Sequence, residues 1–132
     1  MKLSDEERQA IVSNRVQKAF ATWEEVKSII QSQLWFAAAN RMYYACYYMT
    51  SALLIKNNFQ ASTHGGVIRL LGKHFVVEGL LSDKLGRFYS QLFELRQSGD
   101  YDDWKVIEEK DILPLVETGE EYFKTLHSLI ES

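Results

Sequence analysis

The chain has 132 residues, of which 46% are hydrophobic and 25% charged. This length and composition fit one globular domain over residues 1–132 and exclude a disordered chain, which would be less apolar. Seven Gly and one Pro are too few turn-forming residues for an all-β protein. The formal net charge of −3 excludes a globally basic nucleic-acid-binding protein, so any contact with RNA must come from a local patch.

The first predicted helix begins after Ser4. Ser4 and Glu7 have the spacing of a capping box, in which each side chain bonds the backbone N–H of the other residue. Apolar residues then recur at helical spacing until Gln31, and neither Gly nor Pro interrupts them. The pattern predicts a helix of about 27 residues, or roughly 40 Å at 1.5 Å per residue.

The second predicted helix runs from about Leu34 to Asn57 and is apolar on most of its sides. Such a helix must be surrounded by other elements, which places it at the centre of the fold. A membrane span is disfavoured because Asn40 and Arg41 lie inside this stretch, and an Arg is costly in a bilayer. The charged N-terminus also does not resemble a signal peptide. We therefore expect a soluble cytoplasmic protein without membrane contact.

Three shorter patterns follow the central helix. Thr63 is the predicted N-cap of a short helix after a linker that includes Gly65 and Gly66. Gly79 is expected to end that region, Ser82 to cap a fourth helix, and Gly99 to end the fourth helix as its C′ residue. Residues 100–104 are predicted to form a loop.

The last predicted helix starts between Glu108 and Asp111 and runs to about Glu131. Pro114 is tolerated in a first turn but kinks a helix interior, and it lies in the first turn if Asp111 is the N-cap. Four long helices and one short extra helix predict an all-α, antiparallel, up-and-down four-helix bundle.

Metal and cofactor signatures are missing from the sequence. Cys46 is the only cysteine, so a Cys-rich zinc site and an internal disulfide are excluded. The three histidines have no zinc-ligand spacing, and the chain contains neither a Walker loop nor a GxGxxG motif. We expect no metal and no cofactor.

Arg96 is the most informative single residue. It ends a core-facing stripe of the fourth helix, which contains Leu85, Tyr89 and Leu92. A guanidinium at this position needs acceptors or a wet cleft, because burying it unpaired is prohibitive. One interpretation is a structural ion pair with a nearby carboxylate such as Asp100, and the other is a cleft arginine that binds phosphate.

A second polar group interrupts the apolar surface of the central helix. Arg41, Tyr44, Tyr48 and Ser51 share one helix face, and Asn40 is adjacent. This face is either a satisfied internal hydrogen-bond network or a surface for a ligand or partner.

Three segments resemble the HEPN family (higher eukaryotes and prokaryotes nucleotide-binding). They are A-A-N-R-M-Y-Y-A-C-Y-Y-M-T-S-A-L-L from Ala38, T-H-G-G-V from Thr63 and R-Q-S-G-D-Y from Arg96. Their order and spacing match the family over nearly the whole chain. HEPN proteins are helical bundles that often form homodimers, and many prokaryotic members pair with a small nucleotidyltransferase in toxin–antitoxin or defence systems.

Catalytic HEPN proteins are metal-independent RNases that use an Arg followed four to six residues later by a His. Here Arg96 matches the Arg, but Asp100 and Tyr101 occupy the window where the His is expected. The chain is therefore similar to a family branch with an Arg-x-x-x-Asp-Tyr motif. Aspartate is a poor general acid and tyrosine a poor base at neutral pH, which weakens the nuclease interpretation.

The sequence thus leaves open whether the protein is an enzyme. The leading hypothesis is an interaction module, homodimeric, in which Arg96, Asp100 and Tyr101 contact a nucleotide, RNA or a partner protein. That partner is expected to be a nucleotidyltransferase of a toxin–antitoxin or defence system. The alternatives are an RNase toxin, in which Arg96 holds phosphate and Tyr101 or a distant His is the base, and a purely structural dimeric scaffold.

Overall fold

The structure, a computed structural model, describes residues 2–101 and 106–132, and only the backbone of Asp100 and Tyr101. Its helices are α1 (Asp5–Gln31), α2 (Trp35–Lys56), α3 (His64–Leu71), α4 (Asp83–Tyr101) and α5 (Glu109–Glu131), with a π-helical turn (Gly72–Val76) after α3. Within the described ranges there is no strand. The predicted all-α fold is confirmed.

The start of α1 follows directly from its first residues. The Ser4 side chain accepts the Glu7 N–H at 3.1 Å, and the Ser4 N–H donates to the Glu7 carboxylate at 2.8 Å. This reciprocal pair is the predicted capping box, and it satisfies two backbone donors that a helix leaves free at its start.

Contacts between helix ends give the direction of each long helix. Arg8 in α1 donates to the carbonyl of Ile55 at 3.0 Å, so the start of α1 lies beside the end of α2. Phe36 at the start of α2 packs against Gly99 near the end of α4. Lys56 donates to the carbonyl of Leu129 at 3.1 Å, so the ends of α2 and α5 lie together. The four long helices therefore run up, down, up and down, as predicted.

The central position predicted for α2 is confirmed. This helix packs against α1, α3, α4 and α5, and twelve of its residues are buried. Enclosure on most sides explains why its sequence is apolar all round. Among the described helices, none combines the length and the hydropathy that crossing a bilayer requires.

Three buried tyrosines form a column through the core between α2, α4 and α5. The ring of Tyr89 stacks on Tyr43 at 5.8 Å and on Tyr122 at 5.9 Å between centroids. At the inner end, the Tyr122 and Thr50 hydroxyls are 2.6 Å apart. At the other end, the hydroxyl of the buried Tyr43 contacts His64, so the column fixes the position of that ring.

The predicted end of the fourth helix at Gly99 is wrong, because α4 continues to Tyr101. A methyl group at Gly99 would lie 2.7 Å from the Ile107 side chain and 3.1 Å from the Phe36 ring. Gly99 therefore serves close packing against α2 and the segment before α5 rather than helix termination. The predicted loop over residues 100–104 is wrong for residues 100 and 101, and residues 102–105 lie outside the described ranges.

The last helix begins at Glu109, within the predicted range from Glu108 to Asp111, but Asp111 is not its N-cap. Glu108 is the N-cap, and the Asp111 carboxylate instead accepts the Glu108 N–H at 2.9 Å, as the third residue of a capping box. Pro114 is consequently the sixth residue of α5 rather than part of its first turn. The Lys110 carbonyl loses its helical donor to the proline. Lys110 is exposed, so water can reach that carbonyl.

Candidate functional site

Arg96 of α4 faces α2, and we call the group that it forms with Tyr43, Tyr44 and His64 the Arg96 cleft. The Arg96 side chain is half-buried rather than sealed in the core. The guanidinium carbon is 5.1 Å from the centre of the Tyr44 ring and 5.7 Å from the centre of the Tyr43 ring. Aromatic faces attract cations within about 6 Å, so the two tyrosines of α2 help to hold the guanidinium in place.

His64 enters the same cleft from the start of α3. Thr63 accepts the Gly66 N–H at 2.9 Å as the N-cap, which makes His64 the first residue of the helix. The Nδ1 atom of His64 is 2.5 Å from the Tyr43 hydroxyl. The imidazole also lies 5.2 Å from the Tyr47 ring between centroids, so it is fixed on two sides. Three separate helices thus bring Arg96, His64 and Tyr43 together.

The electrostatics of the cleft favour an uncharged imidazole. Burial, and then the positive charge of Arg96, lower the pKa of His64 from its usual value. Burial raises the pKa of Tyr43 to about 12, so its hydroxyl keeps its proton. At neutral pH the cleft therefore holds a permanent cation, a neutral imidazole and a protonated phenol.

This combination has a definite chemical capacity. A positioned guanidinium stabilises negative charge on a phosphoryl oxygen, and a neutral imidazole can accept a proton from a hydroxyl. Because Nδ1 is engaged with Tyr43, Nε2 is the nitrogen that can act on a bound molecule. A guanidinium and an imidazole placed together are the groups that phosphodiester binding and general base chemistry require.

The polar face predicted on α2 divides between two neighbours. Arg41 forms an ion pair with Glu25 of α1 at 2.9 Å, and the Lys18 ammonium lies 4.7 Å above the Tyr48 ring. These two residues therefore contact α1. Tyr44 instead contacts Arg96 and belongs to the cleft.

The remaining predicted site residues are placed less completely. Asn40 is half-buried and lies one helical turn before Tyr43 and Tyr44, on their side of α2. The backbone of Asp100 and Tyr101 forms the last turn of α4, directly after Arg96. Their side chains lie outside the described residues, so their predicted grouping with Arg96 stays a prediction.

The residue that sequence reasoning did not single out is His64. A signal existed, since the predicted N-cap Thr63 and the T-H-G-G-V segment put this histidine in the first turn of a helix. Tertiary packing decides which side of α3 faces Arg96, and local sequence patterns do not predict that packing. The sequence left the base open as Tyr101 or a distant His, and the structure places His64 of a different helix near Arg96.

Comparisons with known proteins identify the family of the chain. The family model for the HEPN domain matches residues 12–129. A protein of Thermotoga maritima named "UPF0332 protein" is 30% identical over 125 residues, which cover 95% of this chain and 95% of that protein.

Two proteins of Methanocaldococcus jannaschii are also similar. One is named "Putative toxin MJ0605" and is 34% identical over 84 residues, or 64% of this chain and 63% of that protein. The other is named "Putative toxin MJ0142" and is 28% identical over 87 residues, or 66% of this chain and 59% of that protein. Because the family model spans most of the bundle, including the helices that carry Arg96 and His64, the chain belongs to the HEPN domain family.

Proposed function

We propose that this protein is the toxin of a toxin–antitoxin pair and that it cleaves RNA without a metal ion. The observation that carries the proposal is the position of His64 beside Arg96 in one cleft, with both side chains half-buried. The names of the two archaeal relatives support the toxin role. The proposal takes up the alternative in which a histidine distant in sequence replaces the expected one.

The reaction follows from the two side chains. His64 accepts the proton of a ribose 2′-hydroxyl through Nε2, and the 2′-oxygen attacks the adjacent phosphorus. Arg96 stabilises the charge that develops on the phosphoryl oxygens. The bond to the 5′-oxygen breaks, that oxygen takes a proton from water, and the products are a 2′,3′-cyclic phosphate and a 5′-hydroxyl end.

Tyr43 sets the protonation state that this reaction needs. A neutral imidazole carries one proton, and Nε2 can act as a base only if that proton is on Nδ1. The Tyr43 oxygen is 2.5 Å from Nδ1 and can accept this N–H. Tyr43 is therefore proposed to hold the imidazole in its base-competent form.

A partner protein is part of the same proposal. At the end of the bundle where α2 and α5 begin, Leu34, Phe36 and Val106 are more than half exposed, at 57%, 51% and 71%. Large exposed apolar side chains in one place favour a protein contact. The proposed partners are a nucleotidyltransferase antitoxin and a second copy of the chain. The family resemblance implies both. Location in the cytoplasm remains a prediction.

Cleavage of a labelled RNA in the presence of a chelator tests the proposal. We expect Arg96→Ala and His64→Ala each to reduce the rate by about a hundredfold or more, the usual contribution of such groups. His127→Ala is the matched control, because His127 lies on α5 and pairs with Glu131 at 3.1 Å. Expression of the wild type should also arrest growth, and both cleft variants should relieve the arrest.

Two results would overturn this assignment. One is an absence of RNA cleavage by a wild-type protein that arrests growth. The other is equal cleavage by the wild type and His64→Ala while both remain folded.

A further inference from the structure

A basic groove lies between the N-terminal half of α1 and the segment that follows α2. Its volume is about 600 Å³, and its lining includes Lys2, Arg8 and Arg15 with Ile55 and Phe59. Arg8 and Arg15 are seven residues apart, so they point to the same side of α1. They are separated by roughly 10 Å along the helix axis. We call this the Arg8–Arg15 groove.

The groove continues to the Arg96 cleft. A smaller cavity of about 100 Å³ shares Arg15, Ile55 and Phe59 with the groove and extends to Tyr47. The Tyr47 ring is in turn 5.2 Å from the His64 ring between centroids. Neighbouring residues therefore connect Arg8 to His64, and the rings of Phe59 and Tyr47 lie along this path.

The cations of this groove are available to a ligand. Arg8 donates one hydrogen bond to the Ile55 carbonyl, at 3.0 Å. Among the side chains of residues 2–99 and 106–132, no carboxylate forms an ion pair with Lys2, Arg8 or Arg15. These guanidinium and ammonium charges are thus not neutralised by a described side chain.

Acidic and basic residues are distributed unevenly along the chain. Residues 26–77, which include α2, α3 and the segment between them, contain no Asp or Glu. The same stretch contains five basic residues, namely Lys27, Arg41, Lys56, Arg69 and Lys73. The wall of the groove that follows α2, which includes Ile55 and Phe59, therefore contributes no carboxylate. A local region without carboxylates can attract phosphates although the whole chain is acidic.

We propose that the Arg8–Arg15 groove binds the backbone of single-stranded RNA next to the bond that is cleaved. The inference rests on the proposed function, because it takes the strand to run from His64 over Tyr47 to Arg15 and Arg8. A groove with cations along a backbone path and half-buried rings beside it is the usual arrangement for single strands, whose bases stack on aromatic side chains. A duplex does not offer unstacked bases to Tyr47.

Binding measured against salt concentration tests the groove separately from cleavage. The probe is a short single-stranded RNA with 2′-O-methyl sugars, which cannot supply the attacking hydroxyl, followed by fluorescence anisotropy. For single strands the slope of log K against log salt changes by about 0.7 for each phosphate contact. The double variant Arg8→Ala, Arg15→Ala is expected to have a slope smaller in magnitude by about 1.4.

The control is a double variant with the same change in charge, Arg87→Ala with Lys124→Ala, at two exposed positions on α4 and α5. Its slope should equal that of the wild type. Because Arg8 also bonds the Ile55 carbonyl, Arg15→Gln alone is a second variant with an expected slope change of about 0.7. Unfolding curves of each variant show that it is folded.

The outcomes separate the groove from the proposed cleavage activity. Equal slopes for the wild type and both groove variants would overturn the groove, even if Arg96 and His64 prove to cleave RNA. Equal affinity for a duplex of the same sequence would overturn the assignment to single strands. A reduced slope in the groove variants alone supports the groove, whether or not cleavage is detected.

Discussion

Replacing Tyr43 by Phe isolates the contact that orients His64. The Tyr43 ring is fully buried and stacks on Tyr89. Because Phe keeps the ring, this substitution leaves the packing intact and removes only the hydroxyl. That hydroxyl is 2.5 Å from His64 Nδ1. A neutral hydrogen bond contributes about 0.5–1.5 kcal/mol, and each 1.36 kcal/mol is about tenfold in rate. We therefore expect kcat to fall by about two- to twelvefold with KM unchanged, because Tyr43 does not reach a bound strand.

Tyr122→Phe is the matched control for this variant. Tyr122 is also fully buried, and its hydroxyl is 2.6 Å from the Thr50 hydroxyl. Both variants should lower the free energy of unfolding by about 0.5–1.5 kcal/mol, as measured in urea. Only Tyr43→Phe should lower kcat per folded molecule. If both variants lose the same stability and both keep the wild-type kcat, Tyr43 does not orient the base.

Two other predictions concern core packing and the charge on His64. Gly119→Ala should lower the free energy of unfolding by about 1–3 kcal/mol, since the new methyl group would lie 2.3 Å from the Trp23 ring. Gly72→Ala should raise the free energy of unfolding by up to about 1 kcal/mol, because no atom lies within 4 Å of the new methyl group. The same sign for both in urea unfolding would contradict the packing argument. Arg96→Gln should raise the pKa of His64 in an NMR titration, because it removes a charge that lowers this pKa. The folded state favours the neutral imidazole of His64. The free energy of unfolding should therefore decrease as the pH falls below about 6.5, and it should decrease less in Arg96→Gln.

The helices of this protein could be predicted because their signals are local. The capping box of Ser4 and Glu7 and the N-cap Thr63 lie where the sequence placed them. The central position of α2 was also predictable, since only a surrounded helix can be apolar on most sides. These features depend on neighbouring residues or on total apolar content, and both are visible without a tertiary structure.

Two details at helix ends could not be predicted from local signals alone. Gly99 has the local signature of a helix end, yet it is needed for the close approach of Phe36 and Ile107. Asp111 has the signature of an N-cap, but the chain before it allows Glu108 to take that role. In each case the local pattern indicates one role for the residue, and the structure shows another role.

The candidate site was predicted in part. Arg96 was identified because a cation at the end of an apolar stripe is anomalous wherever it lies. His64 was not identified, because its approach to Arg96 depends on the angle at which α3 packs. The carboxylate-free stretch of residues 26–77 is visible in the sequence alone, and the net charge of −3 conceals it.

The central claim is that Arg96 and His64 act on one phosphodiester as a single unit. A double-mutant cycle tests it most directly, with the cleavage rates of wild type, Arg96→Ala, His64→Ala and the double variant measured in a chelator. Residues that act as a unit are strongly non-additive, so the double variant is predicted to be about as slow as either single variant. Losses that multiply in the double variant would show that the two side chains act independently and would contradict the account.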